Sequence, residues 1–347
     1  MIYKNMQFYN VAELEKRENV DGLVIYRYPR NIRESLRLNA RVVAGESTGC
    51  EIRFVNEDKQ KIHISIGAIG ADGEISIFKG DYFYGHRKII AGQMNTIILE
   101  EPERFSLVNY EVLNNTSSNF SSNLWRIVFG RGRIVFYDVE NFGFSIRQPH
   151  KSEVPQKKWL AYGSSITHGS NSIVNSCCYV SHCAKLLGVD VTNRGMAGTC
   201  FVENEIADYF ANQIEWDFAT LELGVNVCRS YTLEEFKSKV VYMVDKLKST
   251  NKPFALISIF PNHITHTIHE QNKFILDNER KFNEILIKIG EKENVSVIDG
   301  ASIMSDFSYL CVDLLHPSPY GHARMGENLA IKLREMFLSI EKSNTLK

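Results

Sequence analysis

Two different patterns of apolar and polar positions divide this chain of 347 residues. Up to about residue 148, short apolar and β-branched runs are separated by Gly, Asn and Asp turns, which is typical of an antiparallel sandwich. From residue 159, short apolar runs alternate with longer amphipathic stretches. The segment 149–158 contains Pro149 and Pro155 among polar and charged residues, which favours a linker. We therefore expect one domain at 1–148 and a second at 159–347.

The first half predicts a β-sandwich, which we expect to be jelly-roll-like. Its predicted strands are Leu23–Tyr28, Glu51–Asn56, Lys61–Ile66, Glu74–Phe78, Thr96–Leu99, Trp125–Phe129 and Arg133–Tyr137.

The second half predicts a doubly wound parallel sheet, because strands and helices alternate along it. The predicted strands are Trp159–Tyr162, Val189–Thr192, Phe218–Leu223, Phe254–Phe260 and Val295–Ile298, and the predicted helices are Ser176–Leu187, Leu233–Lys248, Asn278–Lys292 and Gly321–Ile340. Ligands of such sheets bind beyond the carboxyl ends of the strands, so the junctions that follow the strands are where chemistry is expected.

Composition narrows the function classes. The net charge of -1 excludes the basic excess of a dedicated nucleic-acid binder, and no apolar run reaches the roughly 18 residues of a membrane helix. Seven cysteines without a C-x-x-C pair argue against a disulfide framework and a zinc knuckle. The start of the chain lacks the pattern of a signal peptide, so we expect a cytoplasmic protein without nucleic-acid or membrane partners. The sequence does not predict its oligomeric state.

The first and last junctions carry the residue types of nucleophilic catalysis. Ser164 and Ser165 follow the first predicted strand of the second half, and Asp313 and His316 precede the last predicted helix. An imidazole can take a proton from a serine hydroxyl when a carboxylate fixes its tautomer. Each feature alone has an ordinary structural interpretation, as a turn or a cap. The chain order Ser, Asp, His is one recurring order of such triads.

Two middle junctions offer hydrogen-bond donors. Gly198 lies in the segment after the second predicted strand, and Asn226 follows the third. Acyl transfer develops an oxyanion that preorganised donors stabilise, and a glycine N–H and an asparagine amide are both suitable. Taken singly, both residues are also common in turns.

Together the four segments resemble the signature blocks of the SGNH/GDSL hydrolase superfamily. The resemblance rests on Gly163-Ser-Ser-Ile-Thr167, Asn193–Gly198, Gly224-Val-Asn226 and Asp313-Leu-Leu-His-Pro317 and spans about residues 157 to 342. It implies a flavodoxin-like three-layer α/β/α fold, a triad of Ser165, His316 and Asp313, and an oxyanion hole of the Ser165 N–H, the Gly198 N–H and the Asn226 amide.

Two departures from the family pattern matter. The family's usual Gly-Asp-Ser is Gly163-Ser164-Ser165 here, which makes Ser164 a rival nucleophile, and Val227 replaces an Asp found in many members. Both departures resemble a two-domain branch with a Gly-Ser-Ser-Ile-Thr first block and an amino-terminal β-sandwich. The first half also resembles that branch, more loosely, at Arg27-Tyr-Pro-Arg30 and around Gly80-Asp-Tyr82.

The expected function is a serine esterase that removes small acyl groups, O-acetyl first, from a carbohydrate or natural product, without a cofactor. Two alternatives stay open at this point: an acyltransferase with the same triad, and a non-catalytic glycan-binding protein. His263, His266 and His269 lack a carboxylate or thiolate at helpful spacing, so no metal site is expected. Asn262 and His263 are instead expected to shape a wall of the substrate pocket.

Overall fold

A computed structural model describes residues 1–338, and the first part of the chain is built almost entirely from strands. Its strands are β1 (Ile2–Tyr3), β2 (Met6–Tyr9), β3 (Glu13–Arg17), β4 (Val20–Tyr26), β5 (Glu51–Asn56), β6 (Ile62–Ile69), β7 (Gly73–Lys79), β8 (Tyr82–Ile89), β9 (Met94–Leu99), β10 (Leu124–Phe129), β11 (Arg133–Glu140) and β12 (Ile146–Arg147). Three short helices accompany them: α1 (Arg30–Ser35), α2 (Leu38–Ala44) and α3 (Tyr110–Asn114).

These strands form two antiparallel sheets. One has the order β1-β2-β5-β10-β7-β8 with β12 beside β5, and the other has the order β3-β4-β11-β6-β9. Side chains from both sheets form one apolar cluster, in which Phe8, Ile52 and Trp125 of the first sheet meet Ile64 and Phe136 of the second. The predicted antiparallel sandwich is therefore confirmed, and its jelly-roll character stays a prediction.

The second part begins at β13 and alternates strands with helices. Its elements are β13 (Lys158–Tyr162), α4 (Ser165–His168), α5 (Tyr179–Leu187), β14 (Asp190–Asn193), α6 (Asn204–Asn212), β15 (Phe218–Glu222), α7 (Leu233–Lys248), β16 (Phe254–Ile257), α8 (Lys273–Glu293), β17 (Ser296–Ile298), α9 (Gly300–Ile303) and α10 (Pro319–Leu333). The predicted helix Gly321–Ile340 corresponds to α10, and its last two residues lie outside the described residues.

All strand pairs of this sheet are parallel, in the order β14-β13-β15-β16-β17. Numbered within the sheet, this is the 2-1-3-4-5 order of flavodoxin-like folds. Apolar clusters cover both faces: Leu160 of β13 packs in the cluster of α6, α7 and α8, whereas its neighbours Trp159 and Ala161 pack in the cluster of α5 and α10. The predicted α/β fold with helices on both faces is confirmed.

The two parts of the chain share a core and a buried ion pair. Ile32 of α1 and Ala40 of α2 belong to the same apolar cluster as Phe210 of α6. Arg53 of β5 donates to both carboxylate oxygens of Asp190 at the start of β14, at 2.6 and 2.8 Å. The predicted division at residues 149–158 stays a prediction, but the contacts join the two parts closely.

None of the helices in residues 1–338 combines the length and the apolar sequence that crossing a bilayer requires.

Candidate active site

The first junction is a tight turn between β13 and α4. Gly163 follows the strand, Ser164 caps the helix and Ser165 is its first residue. A Cβ on residue 163 would lie 2.5 Å from the Glu222 carboxylate oxygen Oε2, so only glycine fits there. The turn therefore places Ser165 at the carboxyl edge of the sheet.

The two adjacent serines have different surroundings. The Ser164 side chain is fully buried and its hydroxyl oxygen accepts the Ile166 N–H at 3.2 Å, which is the role of an N-cap. The Ser165 hydroxyl is partly exposed and lies 2.8 Å from Nε2 of His316. This geometry favours Ser165 over Ser164 as a nucleophile.

Asp313 and His316 meet Ser165 from the loop before α10. Nδ1 of His316 lies 2.8 Å from Oδ2 of Asp313, and the other carboxylate oxygen accepts the N–H groups of Leu315 and His316, both at 3.0 Å. Burial opposes ionisation of Asp313, but these hydrogen bonds lower its carboxyl pKa from the ordinary value. An ionised Asp313 only accepts, so Nδ1 of His316 carries the proton and Nε2 is left to accept the Ser165 hydroxyl.

Residues 194–198, which we name the oxyanion loop, follow β14. Gly198 is exposed with a φ of 67°, and its N–H has no hydrogen-bond acceptor within residues 1–338. Hydrogen bonds join the loop to the turn between β13 and α4 and to α4 itself. The Met196 N–H donates to the Gly163 carbonyl at 2.7 Å, and the Ala197 N–H donates to Nδ1 of His168 at 3.2 Å.

Asn226 lies in the turn that follows β15, close to the oxyanion loop. Its carbonyl oxygen accepts the Cys200 N–H at 3.1 Å, which orients the amide and leaves its N–H₂ group as a donor. The structure thus links all the segments named by sequence, and the roles of Gly198 and Asn226 in an oxyanion hole stay predictions.

Glu222 is a site residue that the sequence reasoning missed. It ends β15 with an exposed fraction of 1%, and Oε2 accepts the Ser164 N–H at 2.6 Å and the Thr167 hydroxyl at 3.1 Å. Burial raises the pKa of its carboxyl to about 7. A glutamate within an otherwise apolar strand was the available signal, since an acidic residue is almost never fully buried without a partner.

Asn262 and His263 lie in the loop after β16 and differ in accessibility. The Asn262 side chain is 1% exposed: its amide donates to Phe260 and Glu279, and its carbonyl oxygen accepts the Ile264 N–H at 2.8 Å. These bonds fix the shape of the loop, and the expected part of Asn262 in a wall of the substrate pocket stays a prediction. His263 is partly exposed, and its N–H donates to the Leu314 carbonyl at 2.7 Å, beside Asp313.

The remaining histidines of that loop face other surroundings. The His266 ring packs edge-on against Phe307, with ring centroids 5.1 Å apart, and His269 is exposed. Within the described part of the chain, no group of three or more His, Cys, Asp or Glu side chains is arranged to hold a metal ion.

A cleft of about 870 Å³, which we name the interface cleft, opens beside Asp313 and His316. Asp313 and His316 line it together with side chains from the sandwich: Asp72, Glu74, His86, Lys88 and Arg131. Lys88 pairs with Asp72 at 2.7 Å, and Arg131 pairs with Glu46 at 3.3 Å. Ile173 is the single large apolar side chain among the described residues that line this cleft. The other side chains that line the cleft are polar or charged.

A parallel α/β sheet that carries a hydrogen-bonded serine, histidine and aspartate at its carboxyl edge is an arrangement typical of hydrolases. Residues 161–324 match the GDSL-like Lipase/Acylhydrolase family. This part of the chain is therefore similar to the hydrolases of the GDSL/SGNH family.

Solved structures with the same architecture extend over nearly the whole chain. The salicylyl-acyltransferase SsfX3 from a tetracycline biosynthetic pathway is 12% identical, with a TM-score of 0.76 over 96% of this chain and 95% of that chain. The acetyl xylan esterase Est2A from the rumen bacterium Butyrivibrio proteoclasticus is 12% identical, with a TM-score of 0.56 over 96% of this chain and 97% of that chain.

A family two carbohydrate esterase from Clostridium thermocellum is 12% identical, with a TM-score of 0.57 over 83% of this chain and 92% of that chain. No curated protein gives a significant sequence match. At these identities, the three structures show a common fold.

Proposed function

We propose that this protein is a serine esterase in which Ser165, His316 and Asp313 act as a catalytic triad. The observation that carries the proposal is the pair of 2.8 Å contacts that join Ser165 Oγ to His316 Nε2 and His316 Nδ1 to Asp313 Oδ2. A triad needs both contacts, because the histidine must face the hydroxyl with an unprotonated nitrogen.

The proposed reaction has two steps. In the first, His316 takes the Ser165 proton as Oγ attacks the ester carbonyl, and the resulting oxyanion is stabilised by the N–H groups of Ser165 and Gly198 and the amide of Asn226. The intermediate collapses to an acyl-enzyme, and the alcohol leaves with the proton from His316. In the second step, His316 activates a water molecule, which releases the acyl group as an acid and restores Ser165.

The substrate we propose is a small acyl ester, O-acetyl first, of a polar alcohol such as a sugar or a hydroxylated natural product. The polar and charged side chains that line the interface cleft can form hydrogen bonds with such an alcohol. Two of the structurally similar proteins are named as a carbohydrate esterase and an acetyl xylan esterase, which agrees with this substrate class.

The test is hydrolysis of p-nitrophenyl acetate, butyrate and octanoate by the wild type, Ser165→Ala and Ser164→Ala. We expect the acetate to be the best substrate, Ser165→Ala to lose about 10³-fold or more in kcat, and Ser164→Ala to retain turnover, because only Ser165 contacts His316. Turnover that persists in Ser165→Ala and disappears in Ser164→Ala would contradict the assigned nucleophile.

Labelling with a fluorophosphonate probe gives a second readout that does not depend on the choice of ester. We expect the wild type to be labelled and Ser165→Ala to stay unlabelled. A folded wild type that neither reacts with the probe nor hydrolyses any ester would contradict the proposed esterase. Sugar binding by that inactive protein would favour the non-catalytic glycan-binding alternative.

Acyl transfer is the second candidate, because the structural similarity to SsfX3, a salicylyl-acyltransferase, has a TM-score of 0.76. In this reaction an acceptor hydroxyl replaces water, gives its proton to His316 and attacks the acyl-enzyme, which releases Ser165 and a new ester. The measurement is the ratio of new ester to free acetate when polyols are added to p-nitrophenyl acetate assays. Without enzymatic preference, the ratio of new ester to free acetate is set by the concentrations and intrinsic reactivities of alcohol and water. A higher ratio favours the transferase.

A further inference from the structure

The oxyanion loop is held by the sandwich as well as by its own part of the chain. Arg27 and Tyr28, directly after β4, reach its first two carbonyls: Arg27 donates to Gly195 at 2.7 Å and the Tyr28 hydroxyl donates to Arg194 at 3.0 Å. Both side chains are fully buried. Two of the loop's backbone groups are therefore fixed by residues more than 160 positions earlier in the chain.

The partners of Arg27 are unusual for a buried charge. Its second terminal nitrogen donates to the Val43 carbonyl in α2 at 3.0 Å, and within residues 1–338 no carboxylate forms an ion pair with it. Burying a guanidinium without a carboxylate is costly, and burial lowers its pKa from the ordinary value. The hydrogen bonds to the backbone explain an arginine at this position, because one planar guanidinium joins the carbonyls of Gly195 and Val43.

The opposite side of the loop is held by a neutral histidine. His168 is fully buried, which lowers its pKa well below the ordinary value, and its Nδ1 accepts the Ala197 N–H at 3.2 Å. Arg27 and His168 therefore fix the peptide groups on the two sides of Met196, and the next N–H in the chain belongs to Gly198. With its neighbours fixed, that N–H keeps one direction.

We propose that Arg27 is a positioning residue for catalysis: it holds the oxyanion loop so that the Gly198 N–H is aimed at the developing oxyanion. The inference rests on the proposed esterase function and gives the sandwich a part in transition-state stabilisation. Donors in an oxyanion hole stabilise the transition state because they are already in position before the reaction. A displacement of such a donor by about 1 Å can lower the rate about 10²-fold.

The test compares oxygen and sulfur at the reacting carbonyl. Sulfur is the weaker hydrogen-bond acceptor, so an enzyme with an intact oxyanion hole hydrolyses p-nitrophenyl acetate faster than O-(4-nitrophenyl) thionoacetate. For Arg27→Met we expect kcat/KM on the oxygen ester to fall about 10- to 100-fold, and the oxygen-to-sulfur rate ratio to fall about tenfold. A smaller folded fraction lowers both rates equally and leaves the ratio unchanged.

Arg126→Met is the matched control, because it removes a largely buried arginine of the sandwich whose partners, Glu51 and Gly80, lie within the sandwich. We expect its ratio to equal that of the wild type. Tyr28→Phe is the milder variant: it keeps the ring and removes the donor to Arg194, and we expect a fall of about threefold in the ratio, since one hydrogen bond is lost.

The outcomes separate the two proposals. An unchanged ratio in Arg27→Met, whatever its absolute rate, would overturn the positioning role while leaving the esterase intact. If Arg27→Met does not fold, the ratio of Tyr28→Phe decides in the same way. Absence of Ser165-dependent turnover in the wild type would overturn the esterase and this inference with it.

Discussion

The buried carboxyl of Glu222 is expected to make the free energy of unfolding depend on pH. Its pKa is raised by burial to about 7, from an ordinary value of 4.5. The unfolded chain therefore ionises this group at a lower pH than the folded protein does. Between about pH 4.5 and pH 7 the folded state binds more protons, so the contribution of Glu222 to stability falls as the pH rises.

The size of this effect follows from the difference between the two pKa values. A difference of about 2.5 units at about 1.4 kcal/mol per unit gives about 3 kcal/mol, present in full below pH 4.5 and lost above pH 7. Because Glu222 is 1% exposed, solvent screening does not reduce this estimate appreciably.

Glu222→Gln isolates the effect, because glutamine has nearly the same shape and does not titrate. Its amide oxygen can still accept from Ser164 and Thr167, whereas its N–H₂ group would occupy the position of Oε1, which has no partner among residues 1–338. The N–H₂ group without a partner lowers the free energy of unfolding of the variant by the same amount at every pH. The quantity of interest is therefore the difference in free energy of unfolding between variant and wild type.

We expect this difference to move in favour of Glu222→Gln by about 2.5 kcal/mol between pH 5 and pH 8, measured by urea unfolding, because part of the effect is already lost at pH 5. Glu279, whose pKa is also raised to about 7 by burial, titrates in both proteins and cancels. Glu234→Gln, which changes an exposed carboxylate at the start of α7, is the matched control and should give a constant difference. A constant difference for Glu222→Gln as well would refute the reasoning.

Two further predictions test the proposed triad and the ion pair between the two parts of the chain. Asp313→Asn keeps the size of the side chain but removes the carboxylate that fixes the His316 tautomer, so we expect kcat on p-nitrophenyl acetate to fall about 10²- to 10⁴-fold; a loss under tenfold would contradict the triad. Arg53→Met leaves Asp190 buried without its cation, so we expect a loss of about 3–5 kcal/mol in urea unfolding. Arg53→Met/Asp190→Leu should regain most of that loss, and a double variant no more stable than the single one would contradict this explanation.

Element types were predictable wherever the apolar pattern was regular. The strand at Glu51–Asn56 and the helix at Leu233–Lys248 agree residue for residue with β5 and α7. By contrast, β8 was not predicted, because its Tyr, His, Arg and Lys side chains are mostly exposed and break the alternation. Helices α1 and α2 were not predicted either, since each spans fewer than two turns. Both are stabilised by packing into the apolar cluster of the second part.

The segments that carry the candidate site were predictable from sequence for a different reason. In a parallel sheet all strands end at one edge, so residues 165, 198, 226 and 313–316 were expected to converge there even though they are far apart in the chain. What the sequence did not predict is the support beneath them. Arg27 and Glu222 form hydrogen bonds to backbone groups of the site. Such contacts follow from tertiary packing and leave no characteristic spacing in the sequence.

The surroundings of Ser164 favour a neutral side chain at the position where the family pattern of the first block has Asp. The N–H of residue 164 already donates to a fully buried carboxylate at 2.6 Å, and no Lys or Arg forms an ion pair with Glu222 among the described residues. An Asp at 164 would place a second carboxylate beside the first in a site that excludes water, where like charges strongly disfavour ionisation. A neutral serine caps α4 equally well and avoids this repulsion. With Ser164, the turn between β13 and α4 stays neutral, and the carboxylate that accepts its N–H comes from Glu222 at the end of the neighbouring strand β15.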